Sequence, residues 1–179
     1  MDVRCENVQI VLRMWTIFSQ HIELTLISNH TGDVFRYDHD SEPVFHNEEC
    51  PVLGFFDKER EPVIPFHKVD LKKYPDAYPD GAIWPEELQH PGNFMRKGRI
   101  GPYGYWDQKP DYLEGDFYDF KKLNLGQEST HGFRATRGLL NLIEIYKFWI
   151  SFADIDGFRI DAAKQYDILS LFPNTSDMK

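Results

Sequence analysis

The stretch Asp156-Gly-Phe-Arg-Ile-Asp-Ala-Ala-Lys164 carries the most specific structural signal in the sequence. Its apolar centre is typical of a buried parallel strand, in which Phe158 and Ile160 point to one face and Arg159 and Asp161 to the other. A guanidinium close to a carboxylate favours the charged form of the carboxylate. The pattern therefore predicts an anionic side chain, suited to nucleophilic attack, at the end of a strand.

This stretch resembles the fourth-strand motif of the α-amylase family of glycoside hydrolases and transglycosylases, whose catalytic domains are (β/α)8 barrels. It departs from the usual motif in having Gln165 where a histidine is common. The resemblance implies that Asp161 is the nucleophile, that Arg159 orients the substrate and that Lys164 contacts the leaving side of the glucan. The alternative interpretation is that Arg159 and Asp161 form an ion pair at the strand end that takes no part in a reaction.

A second block, Leu24-Thr-Leu-Ile-Ser-Asn-His30, is similar to the third-strand motif of the same family. The resemblance implies that Asn29 binds a structural calcium ion and that His30 hydrogen-bonds the sugar next to the scissile bond. Thr25 stands where the family has an aspartate. Taken alone, an Asn-His pair is typical of a loop cap. Its position upstream of the strand that contains Arg159 and Asp161 favours a role in binding calcium and substrate.

A third block, Gly115-Asp-Phe-Tyr-Asp-Phe-Lys-Lys-Leu-Asn124, is similar to the segment that closes domain B in this family. The resemblance implies that Asp119 is a calcium ligand. Calcium takes several oxygen ligands, and Asn29, Asp119 and a main-chain carbonyl near Gln165 are the predicted set. Without the resemblance, Asp116 and Asp119 would be interpreted as solvated turn residues.

The predicted fold class is α/β, an incomplete (β/α)8 TIM-barrel fragment with an inserted, irregular domain B. A whole barrel of this type takes about 250 residues, and the chain has 179. We expect residues 1–30 to contain a barrel helix and the third strand, residues 31–128 to form the inserted domain, and residues 129–179 to contain a helix, the fourth strand and a further helix. The insert from Gly32 to Gln127 holds ten of the eleven prolines and nine of the twelve glycines.

Hydrophobic periodicity places the regular elements. Apolar residues at helical spacing predict amphipathic helices over about residues 3–20 and 132–152, and a short helix over 166–172. A strand is predicted from Ile22 to Ser28. The apolar stripe of the second helix is predicted to pack on a strand, and its members are Leu139, Leu142, Ile143, Tyr146, Trp149 and Ile150.

The family chemistry requires a second carboxylate. A retaining mechanism uses a nucleophile and an acid/base about 5 Å apart, and the family's acid/base glutamate follows a fifth strand that has no counterpart in these residues. We therefore expect this chain to be inactive by itself, with an α-glucan or oligosaccharide as its partner. The alternative is a non-catalytic carbohydrate-binding or decayed remnant. Unpaired strand edges also predict self-association, or association with a complementary barrel segment.

Composition excludes several partners. The net charge of −9 argues against nucleic acid and against anionic membrane surfaces. Cys5 and Cys50 form no disulfide framework or metal motif, and no targeting or membrane-spanning segment is evident, so the default prediction is a cytoplasmic protein with free thiols. Among the aromatic residues of the insert, most are predicted to fill the core, and Trp84 and Trp106 are the preferred candidates for sugar stacking.

Overall fold

A computed structural model describes residues 22–77, 85–102, 108–130 and 132–166. The predicted helix over residues 3–20 lies outside these ranges, as do residues 167–172 of the predicted last helix. Trp84, Trp106 and Cys5 are likewise outside them. Within the described ranges, no helix has the length and hydrophobicity required to cross a membrane.

Two strands predicted from the sequence are present and pair with each other. Strand β1, Glu23–Leu26, lies parallel to strand β6, Gly157–Ile160, with Leu24 opposite Phe158 and Leu26 opposite Ile160. Paired residues in neighbouring strands point to the same face, so one face of this ribbon is apolar. The N–H of Asp161 donates to the carbonyl of Leu26 at 2.9 Å and extends the ladder by one residue.

The predicted second helix is present but begins later than expected. Helix α2, Arg137–Ala153, starts after Thr136, whose Oγ1 accepts the N–H of Leu139 at 3.2 Å. The expected first turn is instead strand β5, Gly132–Ala135, which pairs antiparallel with strand β4, Gly126–Ser129. Thr136 has extended backbone angles typical of a helix N-cap, so the helix cannot extend further toward the N-terminus.

The apolar stripe of α2 is buried at one end only. Leu139 and Leu142 are buried, and the ring of Tyr146 lies 5.6 Å from that of Phe158 on β6. Further along, Phe148 and Phe152 stack at 5.4 Å but are 57% and 71% exposed. Ile150, predicted to be on the packed face, is also exposed, so the C-terminal half of α2 presents an apolar surface.

In its described residues, the insert contains loops, short strands and single helical turns. Strand β2, Phe35–Tyr37, and strand β3, Val52–Phe55, pair antiparallel with an irregular register. The described elements of the insert are β2 at Phe35–Tyr37, β3 at Val52–Phe55, helix α1 at Asp111–Glu114 and 3-10 turns at Pro75–Ala77, Glu86–Leu88 and Pro91–Asn93.

One hydrophobic core joins the insert to the C-terminal segment. Phe35, Phe55 and Phe94 are almost fully buried, and the ring of Phe94 meets each of the other two edge-to-face. Leu142 and Tyr166 belong to the same cluster. Phe94 therefore fills the core, and the insert packs on the same core as α2 instead of enclosing a separate one.

Candidate functional site

The candidate site lies where β1 and β6 end. Because the strands are parallel, the residues after Leu26 and those after Ile160 meet at one edge. The hydroxyl of Tyr166 accepts the N–H of Ser28 at 2.8 Å and shares a second hydrogen bond, of 2.7 Å, with Ser28 Oγ. Asn29 Nδ2 donates to Oε1 of Gln165 at 3.1 Å. Three side-chain contacts thus hold the two strand ends together.

Asp161, the predicted nucleophile, is exposed at this edge. Its Oδ1 accepts the N–H of Ala162 at 2.8 Å, and its charge acts on the imidazole of His30. The structure thus brings together two of the residues that the resemblance selects, one after each strand.

Arg159 is exposed on β6, and among the described residues it forms no ion pair with Asp161, so the structure does not show the strand-end ion pair of the alternative interpretation. Along a strand, residues two positions apart are separated by roughly 6.6 Å, so their side chains meet only if both bend toward each other. Asp161 instead turns its carboxylate toward the backbone of the following turn. Lys164 is exposed on the one-turn 3-10 helix Ala163–Gln165, which begins two residues after Asp161.

His30 is half-buried and fixed by ring stacking. Its imidazole lies 5.1 Å from the ring of Phe120, with the two planes 24° apart. Burial is the main cause that lowers the pKa of His30 to about 4; the positive charge of Lys122 acts in the same direction, and Asp161 opposes it. The lowered pKa keeps the ring neutral at neutral pH. Its Nδ1 is buried without a hydrogen-bond partner in the described part of the chain.

Two of the predicted calcium ligands, Asn29 and Asp119, differ in burial. Asn29 is fully buried, and its Oδ1 has no hydrogen-bond partner among the described residues. Asp119 is exposed in the turn before Phe120. The segment that lies beside Asn29 is Lys121–Leu123, because Leu123 N–H donates to the carbonyl of Asn29 at 2.9 Å.

The Gln165 carbonyl, the third predicted ligand, accepts a hydrogen bond from Lys122 Nζ. Lys122 is 5% exposed, and burial lowers its pKa to about 8 while the charge of Asp116 opposes that shift. The ammonium of Lys122 occupies one predicted ligand, the Gln165 carbonyl, and a second, Asp119, is exposed. Asn29, Asp119 and the Gln165 carbonyl therefore do not fit a calcium ion bound by all three. The described ranges also contain no group of three His, Cys, Asp or Glu residues arranged for a metal.

The buried charges around this junction are the residues that sequence reasoning missed. Asp116, interpreted as a solvated turn residue, is fully buried and accepts hydrogen bonds from the Tyr37 hydroxyl at 2.6 Å and the Lys122 N–H at 2.7 Å. Burial raises the pKa of Asp116 to about 6, against the charge of Lys121. Lys121 is itself fully buried, with Nζ 3.3 Å from Glu42. The available signal was an adjacent Lys-Lys pair between two apolar residues, Phe120 and Leu123, a pattern that favours a partly buried segment.

Comparisons with protein-family models, with curated proteins and with solved structures gave no match. The functional interpretation therefore rests on the residues and their geometry.

Proposed function

We propose that this chain is part of the catalytic domain of an α-amylase-family glycoside hydrolase or transglycosylase that acts on α-glucans, with the α/β organisation of an incomplete TIM barrel. The observation that carries the proposal is the parallel pairing of β1 with β6, which brings His30 and Asp161 to one edge. Active sites of (β/α)8 enzymes lie at the carboxyl ends of their strands.

In the proposed reaction, a carboxylate oxygen of Asp161 attacks the anomeric carbon, the glycosidic bond breaks and a covalent glycosyl-enzyme forms. The neutral ring of His30 hydrogen-bonds a hydroxyl of the sugar next to that bond. Arg159, one strand position before Ile160, orients the sugar, and Lys164 contacts the leaving side. Both are exposed, so both are accessible to a ligand.

A carboxylic acid must protonate the leaving oxygen, and no residue of this chain is proposed for that general-acid role. The loss of general-acid catalysis alone lowers the rate by roughly 10²–10⁴-fold. We therefore propose that these residues expressed alone bind an α-glucan without turning it over, and that turnover requires a further segment or chain.

The second candidate function is non-catalytic carbohydrate binding. It is favoured by the absence of an Arg159–Asp161 ion pair in the described structure and by the bond from the Ala162 N–H to Asp161. Both features leave the carboxylate exposed, with one oxygen bonded to the backbone, an arrangement that suits hydrogen bonding to sugar hydroxyls.

Titration calorimetry with maltooligosaccharides, run beside a reducing-sugar assay, tests both candidates. We expect binding by the wild-type chain, at least several-fold weaker binding by His30→Gln, and sugar release at background. The matched control is Asp38→Asn, a neutralised exposed carboxylate on the insert, which should bind as the wild type does.

The two assays separate the candidates. Sugar release that disappears in Asp161→Asn would establish the enzyme and contradict the predicted inactivity of the chain alone. Equal affinities of wild type, His30→Gln and Asp161→Asn would remove the proposed site, and no heat of binding with any oligosaccharide tested would contradict both candidates.

A further inference from the structure

We propose that the ammonium group of Lys122 is a built-in cation that ties the insert to the segment after β6, beside the end of β1, so that this junction forms without a metal ion. The inference does not depend on the proposed function, because it rests on contacts between three parts of the chain that are distant in sequence.

The backbone fixes the position of Lys122. The segment 121–123 lies antiparallel to residues 29–31: the Thr31 N–H donates to the carbonyl of Lys121, and the Leu123 N–H donates to that of Asn29, both at 2.9 Å. His30 and Lys122 form the bridge between these bonds. On the other side, the carbonyl of Lys122 accepts the N–H of Met95 at 3.0 Å. The side chain thus leaves a backbone that is anchored on both sides.

From this backbone, Nζ reaches the main-chain carbonyl of Gln165, 43 residues further along the chain. The side chain of Gln165 is tied to the same junction, because its Oε1 accepts a hydrogen bond from Asn29. Residues from β1, the insert and the segment after β6 therefore meet at one buried lysine.

Electrostatics explain why a cation suits this place. A buried ammonium is costly unless oxygen atoms surround it. The Gln165 carbonyl accepts a hydrogen bond directly from Nζ. The carboxylate of Asp116 is also next to Lys122, because its Oδ1 accepts the backbone N–H of Lys122 at 2.7 Å. Asn29 Oδ1 is a further buried oxygen at the junction, without a partner in the residues that the structure describes. The ring of His30, opposite Lys122 in the bridge, lies on the same side of this pairing.

The first test compares thermal melts in calcium and in chelator. We expect the wild-type chain to melt at the same temperature in both, and Lys122→Met, which keeps length and loses charge, to melt several degrees lower in both. Lys147→Met is the matched control: Lys147 is an exposed lysine on α2 paired with Glu144, and we expect the melting temperature to stay within one degree of wild type.

A carboxylate variant makes the test sharper. Lys122→Asp leaves a carboxylate that faces the space occupied by the ammonium beside the Gln165 carbonyl. A calcium-dependent rise in its melting temperature that is absent from wild type would support the proposal, since a ligand that binds only the folded state stabilises it. A calcium-dependent rise in wild type that is lost in Asn29→Ala would overturn it, because a metal would then hold the junction. The wild-type comparison decides the matter even if Lys122→Met does not fold.

Discussion

Removal of the Tyr166 hydroxyl tests the contact that holds the two strand ends together. Tyr166 is 5% exposed, and its hydroxyl makes both hydrogen bonds to Ser28, which is also buried. In Tyr166→Phe the ring still fills its place, but the Ser28 N–H is left buried without a partner. An unsatisfied buried donor costs about 1–3 kcal/mol, and we expect the free energy of unfolding to fall by about 2 kcal/mol.

Urea unfolding followed by circular dichroism measures this loss. The midpoint should fall without a change in slope, since the area exposed on unfolding is the same. Tyr112→Phe is the matched control, because the Tyr112 hydroxyl is half-buried and forms no hydrogen bond in the described residues; its unfolding free energy should change by less than about 0.5 kcal/mol.

If the free energy of unfolding falls no more in Tyr166→Phe than in Tyr112→Phe, the Tyr166 hydroxyl does not stabilise the strand ends and the prediction is wrong. A double-mutant cycle with Ser28→Ala locates the effect further. The Oγ bond disappears in both single variants, so the double variant should be more stable than the sum of the two losses predicts. Strict additivity would show that the two side chains do not interact.

Three further outcomes are expected. Leu142→Ala should lower the unfolding free energy by about 2–5 kcal/mol because it leaves a cavity in the core, whereas Leu53→Ala, at a 45% exposed position, should change it little in the same denaturation assay. Burial lowers the pKa of His30 from 6.5 to about 4, so between these values the folded state binds fewer protons than the unfolded state, and the free energy of unfolding falls as the pH falls. The difference in melting temperature between wild type and His30→Gln should therefore shrink or reverse on acidification across this range. Replacement of Phe148 and Phe152 by Ser should reduce concentration-dependent self-association in light scattering, and unchanged association would show that this exposed pair is not the contact surface.

Periodicity predicted the regular elements near the site and failed at their boundaries. The alternation around Phe158 and the helical spacing from Leu139 are local signals, and the structure places a strand and a helix at both. The expected start of the helix at Gly132 was wrong because a hairpin strand precedes it, although Thr136, three residues before Leu139, carries the N-cap signal that marks the true start.

Side-chain placement at the site depended on contacts that no local pattern contains. The sequence resemblance selected Asp119 as the acidic residue near Asn29, but the strand-like pairing of 29–31 with 121–123 puts Lys122 there. An antiparallel contact between segments about 90 residues apart depends on how the insert folds back. For the same reason, the burial of Asp116 became visible only once its partner, the Tyr37 hydroxyl, was located in space.

The pairing of β1 with β6 has a consequence for the order in which the chain folds. Ile22 and Asp156, which hydrogen-bond at the start of this pair, are 134 residues apart. Closing a flexible loop of that length costs roughly 4 kcal/mol of chain entropy, so the parallel pair is a poor nucleus. The aromatic cluster around Phe35 and Phe94 joins closer parts of the chain, and its collapse shortens the loop. We therefore expect the insert to acquire amide-exchange protection first and the β1–β6 ribbon last, and substitutions in the ribbon to act mainly on the unfolding rate.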